Sequence, residues 1–169
     1  AQIVPTTTVG EAYKSVAELD GISFAIVNTA DGKALHGSNN QNLAYSEYSA
    51  AFSSGNTGYM WKLVSVPSDA DEAIQGCYYL QLITPQGEDY ECRGMGGYLN
   101  SQPATGGCSF ILGLNNQHGQ DGANLAVYDI QYVEGQGFAL KNIGTGMYQG
   151  YNTLPANSAD PVYWTFAPV

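Results

Sequence analysis

The chain has 169 residues and a net charge of −10, with 15 acids against 5 lysines and arginines. That length suits one domain with its own core, and the charge argues against nucleic acid or an anionic membrane surface as partner, since both call for a cationic footprint. Charged residues make up only 12%, while Gly (21) and Tyr (13) are abundant, which points to a turn-rich β protein rather than a helical one.

Residues 1–7 read as a linker or edge segment. Thr8-x-x-Glu11 has the form of a capping box, with Ala12, Val16 and Leu19 on one helical face behind it. This spacing predicts one short helix over about 9–18, so residues 1–20 form an N-terminal linker and helix and residues 21–169 a single domain. No segment reaches the ~18 apolar residues of a membrane span.

A first unit (about 21–66) opens on the β-branched run 22–27 and turns at Asp31-Gly32, which supplies the positive φ of a tight hairpin. Strands are expected over 33–36, 42–51 and 59–66, and 67–75 is a polar connector. A second unit (about 76–114) runs through strands at 77–83, 89–93 and 98–100, with 94–97 as loop, and closes at 108–114. Residues 115–122 are a long loop. A third unit (about 124–168) opens at 124–133, turns at 134–137, continues through 138–142 and 147–149, passes a loop over 151–161 and closes at 162–166. The closing stretches echo one another: Trp61, Phe110 and Trp164 lie 49 and 54 residues apart. Such a recurrence indicates three copies of one supersecondary unit, and short, evenly spaced strands with Gly turns indicate a closed all-β barrel or sandwich.

Three units of about fifty residues, with hairpins such as Asn28-Thr-Ala-Asp-Gly-Lys-Ala-Leu35 and Leu140-Lys-Asn-Ile-Gly-Thr-Gly-Met-Tyr148, resemble the ricin-B-type β-trefoil lectins. In particular they resemble the carbohydrate-binding modules of secreted bacterial glycan-degrading enzymes. The resemblance implies an all-β β-trefoil of three units with one short N-terminal helix, a poly- or oligosaccharide ligand and, as a further partner, a covalently linked catalytic domain. A secreted or cell-surface location follows from the same resemblance. The chain departs from the family at its repeat-closing Gln-x-Trp, where Tyr59 and Val162 precede the two tryptophans. It also lacks the family's sugar-gripping Asp, whose place falls at His36, at Asn100 and at Gln149 or Gly150.

Sugar recognition requires an aromatic face for the C–H side of a pyranose and polar groups that fix its hydroxyls. Three groupings meet this requirement: His36 with Tyr45 and Tyr48, Tyr98 with Asn100, and Tyr148 with Tyr151 and Asn152. Trp61 and Trp164 are expected in the core. Neither histidine sits in a metal-ligand spacing, and the three cysteines form no Cys-x-x-Cys. No nucleophile elbow occurs, so the expectation is a non-enzymatic protein without metal or cofactor. Two other readings of a trefoil remain, a protein-interaction module such as a protease inhibitor, docking through 115–122 or 151–161, and a structural spacer.

Overall fold

The computed structural model describes residues 12–37, 43–48, 58–92, 95–101, 109–113, 124–151 and 155–169. Its strands are β1 (Phe24–Asn28), β2 (Lys33–Gly37), β3 (Leu43–Glu47), β4 (Met60–Ser65), β5 (Tyr78–Ile83), β6 (Glu91–Cys92) and β7 (Met95–Ser101). They continue with β8 (Ser109–Gly113), β9 (Tyr128–Val133), β10 (Gly137–Asn142), β11 (Tyr148–Tyr151), β12 (Pro155–Ser158) and β13 (Tyr163–Pro168).

The pairings close on themselves. β1 joins β4, β4 joins β5, β5 joins β9, β9 joins β10, β10 joins β13, and β13 returns to β1, all antiparallel. The hairpins β2–β3, β7–β8 and β11–β12 hang from β1, β5 and β10 respectively. The expected all-β, three-unit arrangement is therefore present.

The register reveals the threefold repeat residue by residue. Phe24 faces Trp61, Tyr78 faces Tyr128, and Phe138 faces Trp164. Tyr128, not Phe110, is thus the second unit's counterpart of the two tryptophans. Residues 124–133, expected to open the third unit, close the second, and Phe110 lies in a hairpin paired with Asn100. Both stretches are short and aromatic, and only the pairing partner separates a barrel strand from a hairpin strand. Likewise Met95, Gly96 and Gly97, expected in a loop, are strand, because β6 pairs with Met95 and Gly96 and β8 with Gly97.

Local chemistry explains the hairpin turns. Asn28 Oδ1 accepts the backbone N–H groups of Ala30 (2.8 Å) and Asp31 (3.2 Å), and Gly32 N–H donates to the Asn28 carbonyl at 2.9 Å. Gly32 takes φ +76°, a conformation that costs an L side chain about 1 kcal/mol or more. In the third unit Asn142 and Gly146 repeat this turn, with the Gly146 N–H to Asn142 carbonyl bond also at 2.9 Å.

The N-terminal helix differs from expectation in the part described here; residues 9–11 lie outside it. Tyr13 N–H donates to the Phe166 carbonyl at 3.0 Å, which ties the chain to the last strand, and Ser15 then caps a single 3-10 turn, Val16–Leu19. An α-helix cannot run through residues held that way. A second 3-10 turn, Glu72–Ile74, interrupts the expected polar connector and is capped by Asp71.

The core fills the barrel with aromatic rings. Phe166 is sandwiched between Phe24 (centroids 4.5 Å apart) and Phe138 (4.2 Å), and Trp61 and Trp164 are fully buried, as the sequence suggests. Each indole N–H finds a carbonyl, Trp61 that of Leu35 at 3.2 Å and Trp164 that of Gln149 at 3.0 Å. These bonds tie each hairpin to its barrel strand. Large aromatics with paired polar tips dominate core energetics in such folds. No helix among the described residues is long and apolar enough to cross a membrane.

Candidate functional site

The hairpin residues come first. His36 on β2 is only 6% exposed, and its ring lies 2.9 Å from the Gly37 carbonyl through Nδ1 and 2.8 Å from Ser46 Oγ through Nε2. A carbonyl only accepts, so Nδ1 carries the proton and Nε2 accepts from the serine hydroxyl. Both ring nitrogens are thereby engaged within the hairpin. Burial holds the imidazole pKa below its usual 6.5, partly offset by the Gly37 bond. The unfolded chain therefore takes up a proton below about pH 6.5 that the folded chain resists. Stability is expected to fall as pH drops from 6.5 towards the lowered folded value, and thermal melts of wild type against His36→Gln between pH 7 and 5 check this. An equal pH slope in the two proteins would refute the assignment.

Tyr45 on β3 is 8% exposed and its hydroxyl donates to the Asp31 carboxylate. Burial, then the Asp31 bond and charge, push this hydroxyl up, so it stays a donor. Lys33 Nζ stands 5.7 Å from the ring centroid. Tyr48 is also buried, edge-on to Tyr59 at 6.3 Å. Tyr98 on β7 is half-buried, edge-on to Tyr79 at 5.7 Å, and Asn100 on the same strand is buried. Tyr148 on β11 is half-buried beneath Lys141, whose Nζ lies 6.0 Å from its centroid. Asn152 lies outside the described residues.

Tyr151, at the end of β11, stands differently. Its half-buried ring leans on Tyr45 (5.0 Å, 31°) and meets Trp164 edge-on (6.2 Å). Tyr45 and Trp164 are themselves in edge contact at 6.0 Å. The structure thus joins Tyr45 of the first grouping to Tyr151 of the third, whereas Tyr98 and Asn100 stand apart on β7. Tyr151 lines a cleft of about 390 Å³ together with Asn28, Thr29, Gln136, Pro161 and Tyr163. A second cleft of about 360 Å³, lined by Tyr13, Lys14, Tyr132 and Glu134 among others, shares Thr29, Gly135 and Gln136 with the first. A half-rigid aromatic wall with amide and hydroxyl groups around it is the composition that binds neutral polyols. Among the described residues no group of His, Cys, Asp and Glu could hold a metal.

Sequence reasoning missed Asn28, Thr29, Gln136 and Tyr163 as lining residues. Asn28 reads as a turn residue and Gln136 as the tip of a Gly turn; nothing local shows that the two turns meet. Asn28 carries a further feature. It is 2% exposed, its oxygen serves the turn, and its Nδ2 has no hydrogen-bond partner. An unpaired buried donor costs about 1–3 kcal/mol.

The sequence matches no protein-family model and no curated protein sequence. Solved structures are similar in fold. A GlcNAcα1-4Gal-releasing endo-β-galactosidase from Clostridium perfringens superposes with a TM-score of 0.59 at 16% identity, over 87% of this chain and 32% of that one. The chain thus spans about a third of that enzyme. The BEL β-trefoil, in an apo crystal form, gives 0.60 at 11% identity over 88% of this chain and 94% of its own. The designed threefold-symmetric protein ThreeFoil gives 0.57 at 15% identity over 87% and 99%. With the closed ring of strands and its three hairpins, these likenesses establish the fold of this chain as a β-trefoil.

Proposed function

We propose that the chain is a non-catalytic carbohydrate-binding module that holds a neutral poly- or oligosaccharide. The observation that carries this reading is Tyr151, a half-buried ring buttressed by Tyr45 and Trp164 on the wall of a cleft with Asn28, Thr29, Gln136 and Tyr163. A ring braced in this way loses little freedom when a pyranose stacks on it. The net charge of −10 favours a ligand without negative charge. A similar fold within a glycan-releasing galactosidase of which it matches about a third supports a module joined to a catalytic domain, in a secreted or cell-surface setting. The buried, internally bonded His36 and the buried Tyr48 and Asn100 move the reading from three equivalent hairpin sites towards one cleft.

The test is retention of the purified chain on a glycan array and in affinity gels with plant and microbial polysaccharides. Tyr151→Ala is expected to weaken binding by about tenfold or more, the effect of losing one stacked ring. A folded protein that retains no glycan would refute the reading.

A further inference from the structure

The threefold register makes Asn28 and Asn142 counterparts, since Asn28 pairs with Trp164 and Asn142 with Tyr128. The two side chains are nevertheless satisfied differently. Asn142 Nδ2 donates to the Leu125 carbonyl at 2.8 Å. Leu125 stands three residues before Tyr128, and the residue in that place before Trp164 is Pro161. The Pro161 carbonyl is not bonded to Asn28, whose Nδ2 is left buried and unpaired. Asn28 and Pro161 both line the cleft of Tyr151. The two Asn turns differ at this point, and in the first unit that point is a cleft wall.

The same cleft runs into its neighbour. Thr29, Gly135 and Gln136 line both, with Tyr151 and Tyr163 beyond them on one side and Tyr13 and Tyr132 on the other. All four of these tyrosines are half-buried. Two aromatic compartments joined by a polar floor fit consecutive rings of a chain better than one terminal sugar.

We propose that the two clefts form one groove for an internal run of a linear, neutral glycan, with Asn28 Nδ2 donating to an accepting oxygen of the ring seated beside Tyr151. The proposal rests on the carbohydrate-binding reading and adds to it the ligand's shape and the group that selects it. Asn28 Oδ1 is committed to two backbone N–H groups, so the side chain presents a donor alone. The matching ligand atom must therefore accept, as a ring, glycosidic or hydroxyl oxygen does. Nδ2 has no free surface in the unliganded chain, so the acceptor reaches it only as the cleft wall that Asn28 shares with Pro161 and Val162 gives way. Residues 159–161 are exposed.

Calorimetric titration with cello-, xylo-, manno- and galacto-oligosaccharides, from monosaccharide to hexasaccharide, tests the groove. Affinity for the preferred series is expected to rise at least tenfold between disaccharide and tetrasaccharide, and Tyr132→Ala to remove that rise. Gln136→Ala, an exposed side chain on the shared floor, gives the same readout where Tyr132→Ala does not fold. Asn28→Asp keeps the acceptor for Ala30 and Asp31 but loses the donor, and is expected to weaken glycan binding by the folded protein about tenfold. Asn142→Asp should instead lower the melting temperature and spare the affinity of the folded protein. Affinity that saturates at a monosaccharide, or that ignores both Tyr132→Ala and Gln136→Ala, overturns the groove. Binding indifferent to Asn28→Asp overturns the donor. Absence of binding to every series, with the protein folded, fails the carbohydrate reading itself, and the groove with it.

Discussion

Replacing Trp164 by Ala is expected to remove about 3–5 kcal/mol of stability, a large part of the 5–15 kcal/mol typical of a domain. The indole is fully buried. Its removal leaves a cavity that a ring of paired strands cannot readily collapse into, and it leaves the Gln149 carbonyl without the N–H that meets it at 3.0 Å. It also takes away the edge contacts to Tyr45 and Tyr151, at 6.0 and 6.2 Å. Trp164→Phe keeps most of the volume and loses the hydrogen bond, so it should cost less than Ala yet remain clearly destabilising. Urea unfolding of the three proteins measures this, and a loss below about 1 kcal/mol for Ala would show that the indole is not the packed core element described. Glycan affinity should fall in Trp164→Phe as well, because Tyr151 leans on the ring being changed.

A comparable loss is expected from the smallest of substitutions, Gly58→Ala. Gly58 has φ +97°, a conformation that L side chains rarely adopt, and an added Cβ would be driven into the backbone carbonyl of Ile83. The obstacle is main chain within the β4–β5 region, so no rotamer change relieves it. Gly58 also supplies the carbonyl that Gly37 N–H reaches at 3.0 Å, which couples the strain to the first hairpin. A cost of about 3 kcal/mol or more is expected, from backbone strain plus displacement of a paired strand. Gly32→Ala is the control. Its φ is +76°, but nothing lies within 4 Å of the added methyl, so only the left-handed backbone cost of about 1–2 kcal/mol applies. Equal melting temperatures for the two variants would remove the close approach at Ile83 as the reason for glycine at position 58.

The parts of the fold that were legible in the sequence are those decided within a few residues. The turn from Asn28 to Lys33 could be read because one Asn side chain and one Gly determine it. Burial of both tryptophans followed from their place at the ends of repeating units. The second unit's boundary was not legible, since Phe110 and Tyr128 both sit in short aromatic strands and differ only in what they pair with. The tyrosines show the same division. Tyr45 reads as a strand tyrosine and Tyr151 as the first residue of a loop, whereas Tyr151 ends a strand, and it takes the approach of two hairpins to make one the buttress and the other the cleft wall. Asn28 is the sharpest case: its role in the turn is local, but its unpaired donor shows only in the fold, where no carbonyl meets it as the Leu125 carbonyl meets Asn142.

The ring of barrel strands has a kinetic consequence. Its last seam joins β1, near the beginning of the described chain, to β13 at the end, with Phe24 opposite Pro168. No nascent or truncated chain lacking β13 can close the barrel, and the Phe24–Phe166–Phe138 stack cannot assemble before that strand arrives. A topology whose decisive contacts are so far apart in sequence folds in milliseconds to seconds rather than microseconds. The unpaired edges of β1 and β10 stay open to other chains for that whole interval.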